Sequence, residues 1–335
     1  MAGVERKPKG GAEEPRVDVK NEVARTVIEA MKEGSTPWQK PWKSVAMQPT
    51  NKLSGNAYRG VNRVLLGLAG SGRSSGEWMT YRQAAEKGWQ VRKGEKGTMI
   101  VKVVELGAGE AVSSVEREEA KAEKEQGRAP RALRRYLVFN TEQIDGIPRE
   151  ERVADAPTFE PIERAEGVMQ ALVEKTGLLV MHGAFQPCYI PARDEIRMPQ
   201  RESFNGSGAV GYYSVALHEA SHSTLSDKRL ARRDAIGKRW GDEAYALEEL
   251  RAEICSAILA SETGVPMSAA SIANHAAYLS SWVKAIESDP MAIFTAAKDA
   301  DLMAEYLLGL EATLRAERRN AEWVREYEAT EARQR

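Results

Sequence analysis

The sequence predicts an α+β protein, a small basic α/β N-terminal module followed by a mostly helical domain with a short sheet. Three observations carry that expectation. Amphipathic helices and short β-branched runs are mixed in the first half, whereas helical periodicity dominates the second. A chain of 335 residues exceeds what one core usually accommodates, so two domains are expected. The charge also changes sign. Residues 20–105 carry 15 Lys and Arg against 7 Asp and Glu, and residues 155–335 carry 20 against 28, although the whole chain nets −1.

Taken in order, residues 1–16 are rich in Gly, Pro and charge and read as a disordered tail. The first domain spans 17–150. Val23, Val27 and Met31 recur at four-residue spacing and predict a helix from Val19 to Lys32, with Gly34 as its stop. Two prolines in Thr36–Trp42 forbid a helix and hold Trp38 and Trp42 on a stiff extended segment. A second helix is expected to start at Tyr58, a short third one to cover Trp78–Gly88, and a basic turn to open a strand within Val91–Val104. The charged, Ala-rich insertion 107–135 reads as an exposed helical excursion or flexible loop, before a strand at Tyr136–Phe139. An acidic, proline-bearing linker (151–160) leads to a second domain over 161–315. There a helix (162–176), a strand (178–181), a hairpin-like segment (188–199) and four more helices are expected, then a charged tail at 316–335.

The most specific signal is His218-Glu-Ala-Ser-His222. Two histidines four apart on a helix stand one above the other and can reach one metal ion, and Glu219 is then placed as a general base. Two of only four histidines in the chain take this spacing, which disfavours a pair of satisfied core histidines. A hydrolytic zinc site uses three protein ligands, and His₂Glu is one such set. The following helix offers Glu249 and Glu253. Glu253 falls nearer the apolar stripe of Leu247, Leu250, Ile254 and Ile258, so it is expected as the third ligand, with Glu249 orienting a histidine or serving as the alternative ligand. The expected cofactor is Zn²⁺, with another divalent metal as the alternative.

The basic half interleaves tryptophans with cations, as single-strand binders do. Trp38, Lys40, Trp42, Lys43, Tyr58, Arg59, Asn62, Trp78, Tyr81, Arg82, Arg92, Lys93 and Lys96 are the candidate contacts to single-stranded DNA. No zinc-finger or RRM spacing indicates sequence-specific readout. The tryptophans could equally build a small core, and Arg92–Gly97 could be a solvated turn. No apolar stretch approaches a membrane span, and no apolar signal core opens the chain. Two cysteines, Cys188 and Cys255, cannot make a disulfide framework, so a cytoplasmic location is expected.

The succession Pro37–Trp42, Tyr58–Asn62, Trp78–Ala84, Val91–Gly97 and Val138–Gly146, then His218–His222, Tyr245–Glu253 and Tyr278–Trp282, resembles the ArdC-type antirestriction proteins of conjugative plasmids. TraC-type plasmid primases begin with the same N-terminal module. The resemblance covers about residues 17–315. It implies a single-stranded-DNA-binding module, a zincin-like metallopeptidase domain, and protection of incoming plasmid DNA during conjugation. It also implies metal-site roles for His218, Glu219, His222, Glu249 and Glu253. Three readings stay open: a DNA-protecting binder, a peptidase acting on a host protein, and a catalytically silent zincin used as an interaction scaffold.

Overall fold

A computed structural model describes residues 18–33, 49–70, 73, 75–105, 129, 131–148, 161–204, 208–232, 243–266 and 269–334. The mixed α+β architecture is as expected from the sequence. Helix α1 (Val19–Lys32) forms over the predicted span, its N-terminus capped by Asp18, whose carboxylate accepts from the Lys20 amide at 2.9 Å. It buries Val23, Val27, Ile28 and Met31 on one face. The short strand β1 (Thr50–Asn51) precedes α2 (Val61–Ala69), which starts three residues later than predicted because Gly60, at φ 58°, is its N-cap.

The predicted third helix is corrected: Trp78 lies in strand β2 (Glu77–Thr80), and only Tyr81–Glu86 is helical (α3). Thr80 and Gln83 form a capping box that forces the switch from strand to helix at that point. After β3 (Gln90–Val91) come β4 (Thr98–Glu105) and β5 (Arg131–Asn140), paired from Thr98↔Val138 to Glu105↔Arg131. The insertion therefore ends sooner than expected. Residues 131–135 are strand, because each finds a partner on β4. Residues 106–128 and 1–17 lie outside the described residues, as does the expected linker 151–160. The first sheet runs β1-β2-β5-β4, with β1 parallel to β2, and β6 (Ile144–Asp145) pairs with β3.

The second half begins with α4 (Pro161–Thr176) and a three-stranded sheet ordered β7-β9-β8. Strand β7 (Leu179–His182) runs parallel to β9 (Glu195–Met198), and β8 (Cys188–Ile190) is an outer strand antiparallel to β9. Four helices follow: α5 (Gly208–Ser223), α6 (Glu243–Thr263), α7 (Ala269–Ser288) and α8 (Ala292–Gln334). The expected tail 316–335 is instead, through residue 334, a continuation of α8.

The two halves share one hydrophobic core. Val23, Met31, Val64 and Val101 belong to the same buried cluster as Leu172, Leu217, Leu250, Trp282 and Leu307. Polar contacts reinforce this seam. The Gly60 amide donates to Asp301, Arg63 pairs with Asp301 at 3.1 Å, Arg59 pairs with Glu305, and Lys32 pairs with Glu287 at 2.9 Å.

Candidate metal centre

Helix α5 carries His218 and His222 one turn apart, with ring centroids 4.8 Å apart and Nε2 atoms at 3.1 Å. Helix α6 packs against it and supplies three buried carboxylates, Glu248, Glu249 and Glu253. Glu249 presents one oxygen to His218 Nε2 at 3.6 Å and the other to His222 Nε2 at 3.5 Å. Glu253 stands on the opposite edge of the first ring, 3.1 Å from His218 Nδ1. Glu248 does the same for the second ring, 3.4 Å from His222 Nδ1.

Glu249, expected as an orienting group or alternative ligand, thus meets both Nε2 edges, and Glu253, expected as the third ligand, meets only His218 Nδ1. Helix periodicity predicts how far each turns toward the core, but not which ring edge it meets on the neighbouring helix. His218, His222 and Glu249 each offer an atom within 4.8 Å of the others, and this two-imidazole, one-carboxylate set suits a divalent ion. The imidazoles keep 19% and 12% of their side-chain surface open, so the cluster is accessible from solvent.

The electrostatics favour positive charge here. Burial disfavours a charged His218, but Glu253 and Glu249 outweigh it and lift its pKa well above the usual range. Burial likewise opposes ionisation of Glu248, yet hydrogen bonds from His222 and Arg232 hold its pKa below the ordinary value. Arg232 grips both Glu248 oxygens, at 2.9 and 3.1 Å, and donates to Thr224 at 2.8 Å. Arg251 approaches Glu248 at 4.0 Å and binds Asp299 of α8 at 2.7 Å. The sequence reading missed Glu248, Arg232 and Arg251. The available signal was a third glutamate beside the apolar Leu247 and Leu250.

Glu219 follows His218 on the same helix and is buried. On the outer strand β8 the Cys188 thiol pKa is raised by burial and then by the Glu219 charge. The hairpin singled out in the sequence therefore lies at the sheet margin packed against α5. The C-terminal end of α5 is fixed by Arg229, which donates to the Ser223 carbonyl at 2.6 Å and to Thr176 at 3.0 Å and pairs with Asp194.

The expected DNA contacts fare unevenly. Trp38, Lys40, Trp42 and Lys43 lie outside the described residues. Trp78 is 1% exposed in a core with Leu66 and Val138, so it has no free face for stacking. Asn62 is committed to structure, its amide donating to the Val101 carbonyl at 2.7 Å and accepting from the Val101 amide at 2.8 Å. It thereby covers an outer strand. Tyr58 is half-buried and meets Asn51 at 3.2 Å, and Arg59 is drawn to Glu305 at the seam. Arg92 is spent on Glu95, Asp145 and the Glu142 carbonyl. Tyr81, Arg82, Lys93 and Lys96 are exposed, Arg82 with its guanidinium on Glu86 at 2.7 Å.

A helix with two histidines one turn apart, crossed by a second helix bearing the facing carboxylate, defines a zincin-like metallopeptidase fold. Residues 167–299 match the family model described as zincin-like metallopeptidase. Residues 17–139 match the N-terminal domain of anti-restriction factor ArdC. The chain belongs to the ArdC antirestriction family. The crystal structure of the antirestriction protein ArdC from plasmid R388, Mn(II)-bound, superposes with a TM-score of 0.69 at 33% identity, covering 88% of this chain and 99% of that one. An uncharacterized protein, y4eC of Sinorhizobium fredii, is 36% identical over 87% of this chain and 91% of its own length. A DNA primase TraC from Escherichia coli is 39% identical over 87% of this chain, but the chain spans only 27% of that primase. No helix among the described residues is long and apolar enough to cross a membrane.

Proposed function

We propose that this protein binds single-stranded DNA without sequence preference through its basic first half, over 17–150, and protects incoming plasmid DNA from restriction. We assign the second half, over 161–315, a divalent-metal centre of the peptidase type. The observation that carries this reading is the convergence of His218, His222 and Glu249 beside Glu219. The antirestriction name of the R388 relative, its Mn(II) and the primases' first module support it.

In this reading His218, His222 and Glu249 would hold the ion, zinc or another divalent metal. When bound it supplies Lewis acidity toward water and a peptide carbonyl. Glu253 and Glu248 accept the Nδ1 protons of His218 and His222, which fixes each tautomer and aims each Nε2 inward. Arg232 keeps Glu248 anionic and immobile. Glu219 takes the proton from attacking water and passes it to the leaving amine. The outer strand Cys188–Ile190, paired with β9 on one side and packed against α5, offers a sheet margin to an extended chain. The substrate of that chemistry would be a host protein brought close by the DNA.

Transfer of unmodified DNA into restricting and non-restricting recipients tests the reading, with Glu219→Gln compared against the unaltered protein. The substitution keeps the helix and the metal ligands. Loss of protection with DNA binding intact is the expected result. Full protection by Glu219→Gln would instead assign the function to DNA binding alone.

A further inference from the structure

Three sequence motifs left unused by the metal centre meet on one exposed surface of the first module. Tyr81, at the start of α3, is 53% exposed and sets its ring edge-on to Phe139 of β5, centroids 6.5 Å apart. Leu137, on the same face of β5, is 49% exposed. Gly97 lies against both: a Cβ there would stand 3.0 Å from Phe139 Cζ and 3.1 Å from Leu137 Cβ. Glycine at this position keeps the backbone close beneath the two side chains, because any larger residue would push them apart.

The turn before Gly97 presents Lys93 and Lys96, both exposed. That turn is held firmly. Gln143 donates to Glu95 Oε2 at 2.9 Å and to the Lys96 carbonyl at 3.0 Å, and Arg92 pairs with Glu95 at 3.1 Å and Asp145 at 3.3 Å. The acidic groups of the turn are thereby occupied internally, and the lysines face outward. Single exposed apolar residues are ordinary. A contiguous aromatic and aliphatic surface beside fixed cations is what a single-stranded nucleic acid needs, with bases on the apolar face and phosphates on the lysines.

Resting on the DNA-binding reading above, we propose that Tyr81, Phe139 and Leu137 over Gly97, flanked by Lys93 and Lys96, form the base-stacking platform for single-stranded DNA. The buried Trp78 serves only to support the sheet beneath it.

Fluorescence anisotropy of a fluorescein-labelled oligothymidylate, titrated with the full chain over a range of salt, tests the platform. Tyr81→Ala should weaken binding roughly tenfold or more, as loss of one stacked base does, with the salt slope unchanged. Tyr81→Phe, which keeps the ring, should bind as the unaltered protein does. Lys96→Ala should weaken binding and lower the salt slope by about one. Thermal melts that match the unaltered protein would show that these exposed substitutions leave the fold intact. If the unaltered protein binds while Tyr81→Ala and Lys96→Ala bind equally well, the platform assignment is wrong and the DNA reading survives. If the unaltered protein binds no oligothymidylate, both fall.

Discussion

Glu249 and Glu253 lie one helical turn apart and meet different sides of the imidazoles, so the proposed roles of ligand and support divide between them. Glu249 faces both Nε2 atoms, whereas Glu253 meets only His218 Nδ1. Titration with Mn(II) by calorimetry should therefore rank the losses. Glu253→Ala should weaken binding about 10–100-fold, the usual effect of removing a group that orients a metal ligand, and Glu249→Ala should weaken it more. The reverse order would restore the assignment that the helical stripe suggested. The one-turn pairing of the histidines was legible because their spacing alone sets it. Which glutamate meets which ring edge was not, because a wheel shows a helix's apolar face but not what a neighbouring helix places opposite it. Trp78 makes the same point. Its basic neighbourhood left base stacking and core packing both open, yet β2 lies inside the first sheet, and Trp78→Ala should cost about 3–5 kcal/mol in chemical denaturation.

Among the elements, the end of α5 depends on one buried cation. Arg229 joins the last turn of that helix to α4 through Thr176 and to the β8–β9 turn through Asp194. Removing it leaves Asp194 without its main partner, so Arg229→Ala should destabilise the fold by about 3–5 kcal/mol. The pH dependence has a definite sign. Burial alone would raise the pKa of Asp194, but the hydrogen bonds from Arg229 and Tyr189 outweigh it and hold the value below the usual one. A depressed folded-state pKa gives stability that is complete above the unfolded value of about 3.9 and is lost as pH falls through the lower folded value. Urea midpoints measured against pH should therefore fall below about pH 4, and Asp194→Asn should flatten that limb while lowering stability at neutral pH. Helix α1 was readable to the residue because its own repeat and cap define it. The boundary between β2 and α3 was not, since the alternation there lasts only four residues before a capping box ends it.

For the molecule as a whole, the sign change in charge divides the chain in composition, but it gave no hint that the two parts share a core. The Tyr58–Asn62 motif, read as a DNA contact, is largely the joint between them. Gly60 and Arg63 converge on Asp301, and Arg59 on Glu305. A shared core predicts one cooperative unfolding transition. Asp301→Ala should lower its midpoint and broaden or split it in calorimetry, because Arg63 and the Gly60 amide lose their common acceptor. An unchanged single transition would mean that the apolar contacts alone fix the seam. We propose that His218, His222 and Glu249 together hold a divalent ion in the second half. Anomalous diffraction from crystals of the full chain soaked in Mn(II) tests it most directly. One strong peak is expected, bounded by His218 Nε2, His222 Nε2 and a Glu249 oxygen, with Glu253 remaining on His218 Nδ1. A peak liganded by Glu253 in place of Glu249, or no peak between the histidines, would contradict it.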